Sequence, residues 1–188
     1  MRDIIVKTGI LLVVVASFCG CDKVNMLNCS FERKNVDNFR FAGIGFDKFN
    51  SISDIANNPL DLLNITNTLL NGTAPIVFNL NVEGKNPNKS TAAIEQMDWK
   101  VLIDNAEFLG SITENFSIPA EGTNILPLEI GFDAMKVLDG STPQSLFLLY
   151  QNITGKNTNQ GSNVTIMIRP TILGIKFPNY ITLSQTIN

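Results

Sequence analysis

Apolar and polar residues alternate along most of the chain after Phe39. Within residues 76–85, for example, Phe78, Leu80 and Val82 share one face of an extended segment, and polar residues occupy the other face. The same alternation recurs at residues 97–104, 111–118, 126–132 and 164–168. A repeat of two residues is typical of a half-buried strand. Because the segments are short, sequential and separated by Asn-, Gly- and Pro-containing turns, they predict an all-β, antiparallel sandwich rather than a parallel sheet with alternating helices.

The first strand is expected at residues 39–46. Phe39 and Phe41 alternate with polar residues, and Ile44 and Phe46 continue the pattern after a change of phase. Gly43 lies at that change, so a β-bulge is expected there.

Two stretches replace this alternation with the signals of a helix. In the first, Asn58 can cap the start, Pro59 occupies the first helical position, and Gly72 follows the end. Its apolar stripe consists of Leu62, Ile65 and Leu69. This stretch is therefore predicted to be a short amphipathic helix that lies on the sheets or across an open end of the sandwich.

The second helix is predicted from a cap at Ser141 or Thr142 to Gly155. Its apolar stripe consists of Leu146, Leu149, Tyr150 and Ile153. A helix this short is marginal in water, so the stripe must cover something apolar. It either plugs one end of the sandwich or gates a cavity or docks a partner. In the latter case Leu149 and Tyr150 are the candidate binding residues.

The N-terminal residues have the pattern of a secretory signal. Arg2 and Lys7 precede an apolar run at residues 10–16, and small residues follow before Cys21. The apolar run is shorter than the roughly 20 residues that a membrane span needs, so export is favoured over a retained transmembrane anchor. Residues 1–20 are therefore expected to form a signal peptide.

The stretch FCGC at residues 18–21 resembles a bacterial lipobox, and this resemblance implies that Cys21 is acylated and becomes the mature N-terminus. Cys19 then leaves with the signal, Cys29 is the remaining ordinary thiol, and no intramolecular disulfide can form. Several acyl chains hold a protein firmly on a bilayer. The expected organisation is a lipid anchor at Cys21, a polar tether at residues 21–38 and a domain at residues 39–188. The expected location is the bacterial cell envelope, and the pattern does not distinguish between the inner and the outer membrane.

Composition excludes several classes of function. The sequence has no histidine, which removes Ser-His-Asp and Cys-His catalysis and His-ligated metals. The net charge of −3 offers no basic surface for nucleic acid. The spacing of Asp47, Asp54 and Asp61 is too wide for a calcium loop. No cofactor, metal or nucleic-acid partner is predicted.

Residues 78–88 (FNLNVEGKNPN) end an alternating strand in an Asn-Pro-Asn turn. An alternating strand with Trp99 follows, and then residues 106–110 (AEFLG). This order resembles the water-stress and hypersensitive-response domain, the LEA14-like (group-2 late-embryogenesis-abundant) family. Other segments that fit the same layout are Ile118-Pro119, residues 126–132, residues 166–171 and Phe177-Pro178. The resemblance covers residues 39–183 and implies a fibronectin- or immunoglobulin-like β-sandwich with a stress-protective, scaffolding or binding role. The two helices are additions to the minimal domain.

The Asn-Pro-Asn turn itself has a structural explanation. Pro87 cannot donate to a strand ladder and so ends the strand, while Asn86 and Asn88 can bond to nearby backbone groups. A structural role is therefore expected for these residues.

The acidic residues Asp98, Asp104 and Glu107 lie close together in the sequence. On strands, Asp98 and Asp104 share the polar face and are expected to be solvated rather than to form a catalytic pair. The favoured function is a non-enzymatic envelope lipoprotein that binds or shields other molecules through its β-sandwich, and its partner is either an unknown envelope protein or an apolar ligand. The alternatives are a module that binds an apolar ligand such as a lipid and, less favoured, a hydrolase that uses carboxylates alone.

Overall fold

The computed structural model describes residues 28–104, 106–138, 140, 142–156 and 163–183. Within these ranges the chain forms ten strands and three helices. The strands are β1 (Ser30–Phe41), β2 (Ile44–Gly45), β3 (Pro75–Asn86), β4 (Ala92–Ile103), β5 (Ala106–Ile112), β6 (Phe116–Ile118), β7 (Gly122–Asp133), β8 (Val164–Ile172), β9 (Ile175–Lys176) and β10 (Ile181–Leu183). The helices are α1 (Ile52–Ala56), α2 (Pro59–Leu70) and α3 (Pro143–Thr154).

The strands form two antiparallel sheets, which confirms the predicted β-sandwich. One sheet has the order β2-β1-β3-β7, and the other has the order β10-β8-β4-β5, with β6 paired to β4 and β9 paired to β8. Alternate residues of the long strands are buried, as the two-residue repeat predicts; in β3, for example, Ile76, Phe78, Leu80 and Val82 are fully buried. The core therefore lies between the sheets.

Trp99 lies in this core, 5% exposed, on β4. It pairs with Gly110 on β5, and a Cβ atom at Gly110 would lie 2.3 Å from the indole ring. The neighbouring strand therefore needs glycine at this position, because any side chain there would displace the ring.

The first strand differs from the prediction in two ways. It begins at Ser30, so residues 30–38, which were expected in the tether, pair with β3. The alternating pattern does not reveal the early start of β1, because polar Arg33 occupies an inward position and two register shifts interrupt the alternation. The expected bulge at Gly43 is instead the two-residue turn of a hairpin, in which Ala42 and Gly43 have φ values of 48° and 81°.

The two predicted helices are present with the predicted caps. The side chain of Asn58 accepts from the backbone of Asp61 at the start of α2, and Thr142 does the same for Ser145 at the start of α3. Gly155 ends α3 in a left-handed conformation with φ 76°. The short helix α1 was not predicted, because its five residues are too few to show a helical repeat. No helix in the described ranges is long and apolar enough to cross a membrane.

Candidate functional site

Leu149 and Tyr150, the candidate binding residues of α3, are buried in the core. Tyr150 is fully buried, and its ring centroid lies 5.1 Å from that of Phe39 and 5.7 Å from that of Phe46. Leu149 is only 3% exposed. Of the two alternatives for this stripe, the burial of both side chains agrees with a plug in the sandwich, and neither side chain is exposed to a partner.

Polar contacts at the edge of the core fix α3 in place. The hydroxyl of Tyr150 lies 3.5 Å from Oδ1 of Asp47, and Nζ of Lys156 donates to the same hydroxyl. On β1, the buried guanidinium of Arg33 donates to the carbonyl of Ile153 near the C-terminal end of α3. A cation is favourable at that end of a helix. Burial lowers the pKa of Arg33 from its usual value.

Helix α2 has apolar residues on two opposite faces. Ile65 and Leu69 are buried, as predicted. On the other side Leu60 is 74% exposed, Leu63 is 56% exposed and Leu70 is 79% exposed. We call these three leucines, together with exposed Asn67 between them, the leucine face. Three exposed leucines on one face of a helix make that face a candidate interaction site.

The orientation of α2 is fixed by its inner face and by its first turn. Asp61 forms an ion pair with Lys48, with 2.5 Å between Oδ2 and Nζ, and Leu62 packs partly buried against the core. The leucine face is thus held outward by the packing of the opposite face. Sequence reasoning missed it, although the spacing of residues 60, 63, 67 and 70 was a usable signal.

The Asn-Pro-Asn turn is held by one buried side chain. Nδ2 of Asn86 donates to the carbonyl oxygens of Ser90 at 2.8 Å, Ile118 at 3.2 Å and Pro119 at 3.1 Å. Its Oδ1 accepts from the backbone N–H of Asn88 at 3.0 Å and from the side-chain amide of the same residue at 2.8 Å. These bonds use both ends of the Asn86 amide, so the turn is structural, as expected.

Cys29 lies beside this turn. Its thiol is buried, with Sγ 3.8 Å from Oδ1 of Asn86, and burial raises the pKa of the thiol. A buried thiol with a raised pKa is a poor nucleophile. Cys21, the predicted lipidation site, lies outside the described residues.

The three acidic residues do not converge on one another. Asp98 is buried rather than solvated, which corrects the expectation: its Oδ2 lies 2.7 Å from Nζ of Lys176 and 2.8 Å from Nη2 of Arg169. Burial opposes the charged form, but the hydrogen bonds from these cations outweigh it and hold the pKa of Asp98 below its usual value. Glu107 pairs with Lys100, and exposed Asp104 accepts from the backbone of Asn163.

Metal ligands do not cluster in the part of the chain that the structure describes. No group of three or more His, Cys, Asp or Glu residues there could hold an ion. The contacts of Asp98 are those of an ion-pair network that stabilises the outer face of the β4–β8 sheet. Among the features described, the leucine face is the candidate functional site.

No family model and no curated protein matches the chain. Among solved structures, the chain is similar to the solution structure of a protein described as late embryogenesis abundant, with 15% identity and a TM-score of 0.42, covering 97% of this chain and 86% of that one. It is also similar to a protein from Archaeoglobus fulgidus, with 8% identity and a TM-score of 0.36, covering 84% of this chain and 100% of that one. A third similar structure is a structural-genomics target, with 12% identity and a TM-score of 0.35, covering 85% of this chain and 88% of that one.

Proposed function

We propose that the chain is a non-enzymatic, lipid-anchored protein of the bacterial cell envelope, in which a LEA14-like sandwich holds a protein-binding surface. The observation that carries the proposal is the leucine face on α2. The sandwich provides a rigid support, and α2 is one of the helices added to it. The role is therefore scaffolding by contact, in keeping with the stress-protective or scaffolding role that the sequence resemblance implies.

In this proposal the membrane anchor is Cys21. The start of β1 then limits the distance between the domain and the anchor. Residues 22–29 separate that cysteine from Ser30, where β1 begins. Eight extended residues span at most about 29 Å. The end of the sandwich at which β1 begins, close to the Asn-Pro-Asn turn, then lies within about 29 Å of the bilayer.

A role without catalysis agrees with the chemistry of the acidic residues. A carboxylate hydrolase needs one acid with a raised pKa and a second acid nearby to act as base or nucleophile. Asp98 instead has two cationic partners and a lowered pKa, and Glu107 is paired with Lys100.

Binding at the surface is favoured over an apolar ligand held between the sheets and α3. The space under α3 is filled by aromatic rings: Tyr150 contacts Phe39 and Phe46, and Phe147 lies 5.7 Å from Tyr150. A lipid chain would have to displace this packed cluster.

The proposal is tested by amine-reactive crosslinking in intact cells, comparing the wild-type chain with the variant L60Q/L63Q/L70Q. Glutamine keeps the helix propensity of leucine while removing the apolar surface. The expected result is loss of the crosslinked species in the triple variant and their retention in the control L109Q, which removes a similarly exposed leucine from β5 (58% exposed). Identical crosslinks in all three chains would contradict the proposed binding surface. Circular dichroism confirms that each variant is folded.

A further inference from the structure

We infer that the outer edge of β7 is closed to the addition of a further strand, so that copies of this chain do not pair edge to edge there. β7 is the last strand of its sheet, and no strand in the described part of the chain pairs with its other edge. With 12 residues it is longer than the other terminal strands β2, β5 and β10, which have 2, 7 and 3 residues. An edge of this length presents a row of N–H and C=O groups with which another chain can pair. We call this row the β7 edge.

The register with β3 shows which residues of β7 form that edge. Ala134 donates its backbone N–H to the carbonyl of Ala74 at 2.8 Å, so these two residues form a bonded pair. The adjacent pair is Pro75 with Asp133, and the carbonyl of Pro75 points the other way, since it accepts from Ala42 of the β1 side at 3.0 Å. Pairs of an antiparallel ladder alternate in this manner along their length. The even-numbered residues of β7 therefore bond to β3, and the odd-numbered residues direct their N–H and C=O groups to the β7 edge.

Pro127 removes a donor from the middle of the β7 edge. It faces Asn81 in the register, at an odd-numbered and therefore outward position. Because proline has no N–H, the ladder with β3 loses nothing here, whereas a strand added outside would find no donor. The side chain of Pro127 is exposed, so the core does not require a proline at this position. Its effect falls on the β7 edge alone.

Asn124 occupies the neighbouring outward donor. Its Oδ1 accepts from the backbone N–H of Ile125 at 2.9 Å, and its Nδ2 donates to the carbonyl of Ser117 at 2.8 Å. Ile125 is the outward residue next to Pro127 along the edge. Its N–H is thus bonded within the chain, by a side chain that also ties β7 to β6 of the other sheet. Two successive outward positions therefore lack a free donor.

The open stretches on either side of this block are short. Thr123 is the outward residue before it, and Glu129 and Gly131 are the next outward residues after it. An added strand would have to forgo its bonds to donors at the centre of the β7 edge and would be held mainly at the two ends. Natural sheets leave edges open when the exposed strand is very short. The closure of this edge is independent of the proposed binding surface on α2.

The closure is tested with the purified full chain carrying Pro127→Val and Asn124→Ala. These changes create an N–H at residue 127 and free the N–H of Ile125, and valine favours a strand. Size-exclusion chromatography with light scattering should show self-association, with a constant about tenfold or more above that of the wild type. The matched control is Thr123→Val, which places the same side chain at another exposed, outward position of β7 but adds no donor. It should elute as the wild type does.

Amide hydrogen exchange identifies the surface that pairs. In the associated double variant, the amides of residues 123–131 should become protected from exchange. In the single variant Asn124→Ala, the amide of Ile125 should exchange faster than in the wild type, because it has lost its acceptor.

Three results would overturn the closure of the β7 edge. They are a double variant that associates no more than the wild type, equal association of Thr123→Val, and association without protection of residues 123–131. Circular dichroism shows whether each variant keeps its strands. Should the double variant unfold, Pro127→Val alone decides by the same criteria, since its side chain lies outside the core.

Discussion

Replacing Asn86 should destabilise the whole sandwich, because one buried amide holds together three segments of chain. Asn86→Ala leaves three carbonyl oxygens without their donor and the backbone N–H of Asn88 without its acceptor. A hydrogen bond contributes about 1 kcal/mol net, and a buried polar group left without a partner costs about 1–3 kcal/mol. Since some of the freed carbonyls will meet water, we expect a loss of about 3 kcal/mol in the free energy of unfolding. Asn86→Asp should cost more, because it sets a carboxylate against those carbonyl oxygens.

The assay is urea unfolding of the purified proteins, followed by fluorescence of Trp99. With a slope of about 2 kcal/mol per molar urea, a loss of about 3 kcal/mol lowers the midpoint by about 1.5 M. The control is Asn115→Ala, an exposed asparagine in the turn before β6, for which we expect a change within about 0.5 kcal/mol. An Asn86→Ala variant as stable as this control would refute the structural role of the Asn-Pro-Asn turn. The turn would then become a candidate ligand site.

Three further predictions concern the core, the ion pairs and the anchor. Trp99→Ala should cost about 3–5 kcal/mol in urea unfolding, followed here by circular dichroism because the variant removes the single tryptophan of the chain. Lys100→Ala should cost little, since its ion pair with a glutamate is exposed; equal losses would contradict the core position of the indole. Because its cationic partners lower the pKa of Asp98 in the folded state, its contribution to stability is present above the unfolded value of about 3.9 and is lost as pH falls through the folded value. The stability difference between wild type and Asp98→Asn should therefore shrink below about pH 4, and a difference independent of pH would contradict the ion-pair assignment. Mass spectrometry of the N-terminal peptide should show an acylated Cys21, and an unmodified Cys21 would disprove the anchor. Cys21→Ala should release the protein from membranes or leave the precursor unprocessed. The control Cys29→Ala should do neither.

Strands and helix caps could be predicted because their signals are local. The alternation of β3 and the Asn58-Pro59 start of α2 depend only on neighbouring residues, and both were confirmed. The start of β1 could not be predicted in this way. Its inward Arg33 is accommodated by the carbonyl of Ile153, 120 residues away in the sequence, so a polar residue occupies a position that the pattern would assign to an apolar one.

The candidate site was missed for a related reason. The pattern predicted the buried stripe with Ile65 and Leu69 correctly, but leucines also lie on the opposite face of α2, and only the packed structure shows that nothing in the described residues covers them. The same holds for Asp98, which alternation places on the outer face. Its partners Arg169 and Lys176 come from β8 and β9, and only the pairing of β8 with β4 brings them together.

The most direct test of a binding surface on α2 is the mass of the adduct formed by a photo-crosslinking amino acid at Asn67 of the full chain in intact cells. We expect an adduct heavier than the chain alone, which is absent when Leu60 and Leu63 are replaced by glutamine. The absence of any adduct at this position, together with adducts from a second probe at Asn115, would contradict it.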